Sequence, residues 1–285
     1  MSEEFSESKE VSQKSPFAGC AILITAVLVM LFLVGFSLFV LFKQFDAISK
    51  FTDEGPVEIK IKSLENRESD LNQLAEEIEI FRMGVVDDET AILELDSEEL
   101  NLSIAAYDAF KDLRGMLKVR EIKEDHMLLD ISFRLNGKPR LAKEGEQGII
   151  GSDPRYLNGT LVAEPRLRDG EVVLQLSDIE VEGSHVPSEF IQQMSPYRIA
   201  ERYSGSGPIG EMMAKLTSVE LGDGVIRFQR EAGKVPADTV TEEQVDAAAG
   251  RFFTFLGIAA SIFLFFVAII LFVGLRLKKG RNEAV

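Results

Sequence analysis

The chain has 285 residues, a net charge of −16 and one cysteine. Its first 16 residues carry a charge of −2 and residues 251–285 carry +4, so the stretch between them carries −18. A stretch this acidic lacks the basic patches that bind phosphate, which argues against nucleic-acid binding. A single cysteine also excludes a disulfide framework, so the folded part must be stabilised by core burial.

Two long apolar runs bracket the chain. Residues 17–42 and 252–275 contain no charged side chain, and each run is longer than the roughly 20 residues that span a bilayer. A helix satisfies its own backbone groups in hydrocarbon, so both runs are predicted to be transmembrane helices. Residues 1–16 then form a disordered cytoplasmic tail, residues 233–250 a linker, and residues 276–285 a basic cytoplasmic tail.

The cysteine beside the first run, Cys20, raises the question of a lipoprotein signal. Such a signal places its cysteine after the hydrophobic region, whereas Cys20 lies at the start of the run. A cleavable secretory signal is also disfavoured, because its apolar core is shorter and ends in small residues. The first run is therefore expected to remain as an anchor. Cys20 then either accepts a reversible acyl chain or is an inert apolar residue.

Orientation follows from the basic residues next to the second run. Arg276, Lys278, Lys279 and Arg281 follow it, and only Arg251 directly precedes it. The positive-inside rule places the C-terminus in the cytoplasm, and two spans place the N-terminus there too. The acidic domain between them is then periplasmic or extracellular. A wider window adds lysines of the domain and weakens this bias.

The domain is predicted to cover residues 55–232. Near its start, "VEIKIK" alternates apolar and charged residues, which is typical of a half-buried strand or an extended lead-in from the membrane. Leu71, Leu74, Ile78 and Phe81 then recur at helical spacing. This stripe predicts a helix that docks on its own domain, with a coiled coil or a partner helix as the alternative.

The stretch "AILELDSEEL" predicts a strand followed directly by a capped helix. Asp96 can accept from the third residue of the helix, and Glu99 can reach back to the Asp96 backbone, which is the capping-box arrangement. Leu100, Ile104 and Tyr107 follow at helical spacing and are expected on the buried face.

The remainder of the domain has the pattern of an antiparallel sheet. "MLKVREIK" and "HMLLDISFRL" form a predicted hairpin, "RYLNGTLVAEPRL" and "EVVLQLSDIEVEG" form a second around "RDG", and "LTSVEL" and "VIRFQRE" form a third around "GDG". A short helix is expected at "SEFIQQM" after Pro187. "GKPRLAKEGEQGIIGSDP" and "YSGSGPIG" are predicted to be loops. The fold class is therefore α+β, with a mostly antiparallel curved sheet and packed helices between two membrane helices.

This order of elements resembles small membrane-anchored envelope domains of the tubular lipid-binding type. The resemblance covers about residues 90–230 and rests mainly on "LELDSEELN" and "VELGDGVIRF". It implies an elongated curved sheet with an apolar groove for acyl chains. The second membrane helix departs from the single anchor usual in such proteins.

No motif for catalysis or metal binding stands out. His126 and His185 are the only histidines, and without a partner cysteine they do not form a zinc set. Acidic clusters such as "VDDET" lack the ligand spacing of a calcium loop, and "SGSGPIG" is neither a nucleophile elbow nor a phosphate loop. The sequence therefore predicts no enzyme, no catalytic residues, no metal and no cofactor, and it does not identify ligand-binding residues.

The resulting hypothesis is a membrane-tethered extracytoplasmic binding module in the cell membrane, for an apolar or lipid-like ligand or an envelope protein partner. The alternative is a structural or accessory subunit of a membrane protein complex. Small residues in the "GIAAS" of the second run would then let helices approach closely.

Overall fold

The computed structural model describes residues 16–204 and 207–240. Helix α1, Pro16–Ile48, covers the first apolar run and continues past it. Among the described residues it is the one helix that is long and apolar enough to cross a membrane, over Val27–Ile48. An apolar helix near the N-terminus can be a membrane anchor or a signal sequence. The predicted second span, residues 252–275, and the tails at residues 1–15 and 276–285 lie outside the described residues.

Residues up to Gln44 belong to a different compact unit from the domain that begins at Phe45. The helices of the domain are α2 (Glu68–Val86), α3 (Ser97–Ala106), α4 (Ser188–Met194) and α5 (Gly207–Met213), with 3₁₀ turns at Asp108–Leu113 and Glu201–Tyr203. The strands are β1 (Ala91–Asp96), β2 (Leu117–Ile122), β3 (Met127–Leu141), β4 (Ile150–Arg168), β5 (Glu171–Val181), β6 (Ser184–His185), β7 (Ser218–Leu221) and β8 (Val225–Arg230).

The predicted α+β class and antiparallel sheet are confirmed. The strands form a five-stranded sheet in the order β2-β3-β4-β5-β6 and a three-stranded sheet in the order β1-β8-β7, and all pairs are antiparallel. Register shifts interrupt the β2–β3, β3–β4 and β4–β5 ladders. Such irregularities bend strands and increase their twist, so the larger sheet curls around the core.

Helix α2 packs on its own domain, as the first of the two sequence interpretations predicted. Leu74 and Phe81 are buried, and Leu71 and Ile78 pack against the core at partial exposure. The core itself is one cluster that draws side chains from α2, α3 and both sheets. The helix thus gains its stability from burial of an apolar face rather than from intrinsic propensity alone.

The local signals for caps and turns are confirmed. The Glu99 N–H donates to the Asp96 carboxylate at 2.8 Å, and the Asp96 N–H donates to the Glu99 carboxylate at 2.8 Å. At the β4–β5 turn, Asp169 and Gly170 have φ values of 52° and 72°. Two consecutive positive φ values match the turn type that follows the right-handed twist of a hairpin.

The predicted loop at residues 137–154 is wrong over most of its length. Strand β3 continues to Leu141 and β4 begins at Ile150, so the two strands form a long hairpin with a short tip. A Cβ on Gly137 would lie 2.3 Å from the Asp153 carbonyl oxygen. Glycine here permits close approach of the two backbones rather than breaking the strand. The second predicted loop, "YSGSGPIG", contains the first residues of α5.

The stretch "VEIKIK" is an extended lead-in that forms no strand. The Val57 N–H donates to the Ser132 hydroxyl and to the Asn158 side-chain oxygen, each at 3.2 Å. At the other end of the domain, the Thr239 N–H donates to the Leu167 carbonyl at 2.9 Å and Val240 is buried. Asp53 also exchanges two backbone hydrogen bonds of 2.8 Å with Tyr156, so contacts with the domain extend beyond residues 55–232 on both sides.

Candidate ligand-binding cavity

An apolar cavity of about 390 Å³ lies inside the domain. Strands β1 and β8 of the smaller sheet, strands β2, β3 and β5 of the larger sheet, and helices α2, α3 and α5 all contribute side chains to its wall. Its volume is within the usual range for small-molecule sites, roughly 300–1,000 Å³. The cavity is partly open, and apolar side chains that face such a space have fewer packing contacts than those in a filled core.

The wall carries no charge. Among the residues that the structure describes, every side chain that lines the cavity is apolar except for the hydroxyl groups of Ser103, Tyr107 and Tyr203. An ionised group placed there would lose its hydration without gaining a counter-ion. The cavity is therefore suited to hydrocarbon and to neutral polar groups.

Two sequence patterns contribute to this wall. Leu100, Ile104 and Tyr107, predicted as the buried face of α3, line the cavity. On β5, alternate residues Val172 and Leu174 also line it, because successive side chains of a strand point to opposite faces. The side chains that the sequence assigned to an inner surface thus surround a cavity.

Two hydroxyl groups in the wall have no hydrogen-bond partner. The Ser103 Oγ and the Tyr203 Oη are buried and unpaired. Nearly all buried polar groups in folded proteins are paired, and an unpaired one costs about 1–3 kcal/mol. Both residues belong to the cavity wall, but neither oxygen is exposed to the space, so a bound hydrogen-bond acceptor would supply the missing partner only after the side chain rotates toward it.

Burial keeps the tyrosine in its donor form. It raises the pKa of Tyr203 above the ordinary value, since the phenolate would be poorly solvated there. The pKa of Tyr107 is raised by the same cause. Both groups are neutral at physiological pH and can donate a hydrogen bond to a ligand.

Phe110 and Tyr203 are partly exposed residues of the cavity wall, and we term the place where they meet the mouth. Phe110 and Tyr203 face each other there, with ring centroids 5.3 Å apart and planes at 87°. Beside them, Arg202 Nη1 lies 3.4 Å from the Asp112 carboxylate. The ring pair and the ion pair join the 3₁₀ turn after α3 to the turn before α5.

A second cavity, of about 690 Å³, lies beside the lead-in, and its wall is polar and charged. Its wall contains charges of both signs, including Arg120 and Asp130, which pair with each other. The Asn158 amide in this second cavity donates to the Asp53 carboxylate at 2.8 Å and to the Gly55 carbonyl at 3.0 Å. Several of its polar groups thus hold the lead-in in place.

The other residues considered at the sequence level lie away from the cavity. His126 contacts Asp125 in the β2–β3 turn, with 2.7 Å between Nδ1 and the carboxylate, and His185 is exposed on β6. Among the described residues, no group of three or more His, Cys, Asp or Glu side chains could hold a metal ion.

Comparison of the chain with protein-family models, with curated proteins and with solved structures found no match. Sequence reasoning missed Ser103, Tyr203 and the residues of α5. Ser103 could have been found, because it lies between Leu100 and Tyr107 at helical spacing. Tyr203 offered no such signal, because the turn that carries it has no periodic pattern.

Proposed function

We propose that this chain is a membrane-tethered binding module whose domain takes up an apolar, lipid-like ligand in the cavity. The observation that carries the proposal is the joint presence of an uncharged apolar wall and two buried hydroxyl groups without partners. Burial of the ligand's apolar surface would supply the affinity, and hydrogen bonds from the hydroxyls would fix the orientation of the ligand. The resemblance to tubular lipid-binding domains points in the same direction.

The proposed ligand has a hydrocarbon chain and a neutral acceptor such as an ester carbonyl. Ser103 or Tyr203, rotated toward the space, would donate one hydrogen bond to such an acceptor. A free carboxylate would find no cation in the described wall. A ligand with a charged head group would therefore keep that group outside the cavity.

The tether in this proposal is α1, and the domain faces the periplasm or the cell exterior. The apolar length of Val27–Ile48 supports the tether. The basic residues after position 275 support the orientation, because positive charge favours the cytoplasmic side. In this arrangement the domain stays within reach of lipids on the outer face of its own membrane.

Photo-crosslinking of the full chain tests the proposal. The protein is reconstituted in phosphatidylcholine nanodiscs with a fatty-acid methyl ester that carries a diazirine on its chain, and crosslinked peptides are identified by mass spectrometry. We expect crosslinks at cavity residues such as Leu174 and Met212, in addition to those that bulk lipid forms with α1. Crosslinks confined to α1 would show that the cavity takes up no lipid and would favour the accessory-subunit hypothesis.

A variant with a filled cavity provides the control. Ala200 is buried and lines the cavity, so Ala200→Phe should place a ring in the space and abolish crosslinks at Leu174. Ala232 is exposed on the segment after β8, and Ala232→Phe should leave them unchanged. Equal crosslinking in both variants would contradict binding in the cavity.

A further inference from the structure

Three large apolar side chains project from the tip of the β3–β4 hairpin. Leu141, Ile149 and Ile150 have exposed fractions of 78%, 82% and 70%. Exposed apolar side chains that lie singly on a surface need no explanation, whereas a cluster at one projecting tip marks an interaction surface. We refer to residues 140–150 as the hairpin tip.

Arg140, Lys143 and Glu146 of the hairpin tip bind one another and Asp153. Arg140 donates to both carboxylate oxygens of Glu146, at 2.8 and 2.7 Å, and its Nε donates to Asp153 at 2.8 Å. The Lys143 N–H also donates to Glu146, at 2.8 Å. These contacts close the loop and neutralise the Glu146 charge, while the apolar side chains remain unpaired at the end of the hairpin.

The hairpin runs alongside the residues through which the chain enters the domain. Asp53 and Tyr156 exchange two backbone hydrogen bonds of 2.8 Å, Arg155 donates to the Ser49 carbonyl at 3.0 Å, and Lys138 forms an ion pair with Asp46. Residues of the hairpin that are closer to the tip thus contact residues that come earlier in the segment 46–53.

The direction of this path matters because the apolar span of α1 ends at Ile48. Leu141 is three residues beyond Lys138 along β3, or roughly 10 Å at the usual rise of a strand. The hairpin tip therefore extends beyond the Lys138–Asp46 pair, which involves the earliest residue of the chain among these contacts.

We propose that the hairpin tip inserts into the headgroup region of the bilayer that holds α1, and forms a second, non-covalent contact between the domain and the membrane. The tip is proposed to contact lipid rather than protein. The hairpin contacts progressively earlier residues of the segment 46–53, and this segment follows the proposed membrane anchor in the chain. The proposal rests on α1 as a membrane anchor and is independent of the cavity.

A single introduced tryptophan can test the proposal, because the chain contains none. The full chain with Ile149→Trp is reconstituted in zwitterionic phosphatidylcholine that is brominated at either a shallow or a deep acyl position. We expect blue-shifted emission that shallow bromine quenches more than deep bromine, as for a side chain within roughly 5–10 Å of the headgroup boundary. Leu141→Trp, on the facing strand, should give the same result.

Val235→Trp is the matched control. Val235 is 80% exposed and lies on the segment that packs against Leu167, near the opposite end of β4 from the hairpin tip. Its tryptophan should emit as in water and escape quenching. Water-like emission at both tip positions would overturn the proposal. So would equal quenching at the tip and at position 235, which would mean that the domain lies flat on the membrane. A blue shift at the tip without quenching would overturn it as well, since it would indicate contact with a second protein copy.

Discussion

The side-chain amide of Asn101 forms two hydrogen bonds with the backbone of Val119. Its Nδ2 donates to the Val119 carbonyl at 2.7 Å, and its Oδ1 accepts from the Val119 N–H at 2.8 Å. Strand β2 is an edge of the larger sheet, and its ladder with β3 shifts register just after Val119. The amide from α3 thus takes the place of a neighbouring strand and attaches the cavity-lining helix to the sheet.

Asn101→Ala should lower the free energy of unfolding by about 1–3 kcal/mol, because it leaves the Val119 N–H and carbonyl buried without partners. Hydrogen exchange with mass spectrometry on the full chain measures this, and protection should fall most in peptides of β2 and α3. Asn72 is exposed on α2, so Asn72→Ala should have no effect. Unchanged protection in the Asn101 variant would contradict the assigned role.

Leu174→Ala should cost less stability than Leu161→Ala. Both residues are buried, but only Leu174 lines the cavity, so its side chain already faces space and has fewer contacts to lose. Leu→Ala substitutions in cores cost about 2–5 kcal/mol. We expect Leu161→Ala in the upper part of that range and Leu174→Ala in the lower part, by denaturant titration.

Addition of a fatty-acid methyl ester extends the same experiment. A ligand that binds only the folded state raises the apparent free energy of unfolding. The ester should raise this free energy in the wild type by more than the Leu174→Ala substitution lowers it. A large loss of stability in Leu174→Ala, together with no stabilisation of the wild type by the ester, would contradict ligand binding. It would mean that the side of β5 carrying Leu174 packs in an ordinary filled core.

Tyr203→Phe and Ser103→Ala should affect stability and binding in opposite directions. Removal of an unpaired buried hydroxyl relieves a desolvation cost, so the unliganded protein should gain stability, on the order of 1 kcal/mol. The same change removes a donor for the ligand carbonyl and should weaken ester binding roughly 3- to 10-fold. Binding of a plain alkane should be unaffected. Weaker binding of ester and alkane alike would indicate a change of cavity shape instead.

The hairpin tip should stay closed in moderately acidic solution. Hydrogen bonds from Arg140, followed by that from the Lys143 N–H, lower the pKa of Glu146 to about 2. A depressed folded-state pKa gives stability that is fully present above the unfolded value, about 4.3, and is lost as the pH falls through about 2. A carbon-13 titration of the Glu146 carboxyl should therefore show it ionised at pH 4. Arg140→Gln should move its midpoint upward, and an unmoved midpoint would disprove the pairing.

Cysteine labelling tests the orientation. In a Cys20→Ser background, Glu124→Cys places a thiol in the exposed β2–β3 turn, and a membrane-impermeant maleimide should label it in intact cells. Val285→Cys, at the C-terminal end, should be labelled only after permeabilisation. The reverse pattern would place the domain in the cytoplasm.

The sequence by itself determined the features that depend on neighbours along the chain. The capping box at Asp96 and Glu99, the turn at Asp169 and Gly170, and the apolar face of α2 each require only a few adjacent residues, and all were predictable. Periodicity also indicated which residues of α3 face inward. It did not reveal that they face a cavity, because a filled core and a lined cavity need the same apolar pattern.

Tertiary structure decided the rest. The run around Gly137 contains the residues that usually end a strand, yet the strands continue because their backbones approach closely there and because Lys138 and Arg155 bind residues 46–52. Tyr203 meets Phe110 only because the turn before α5 packs against the turn after α3. Contacts between segments far apart in the chain have no local signature, so the cavity mouth and the direction of the hairpin tip could come only from the folded structure.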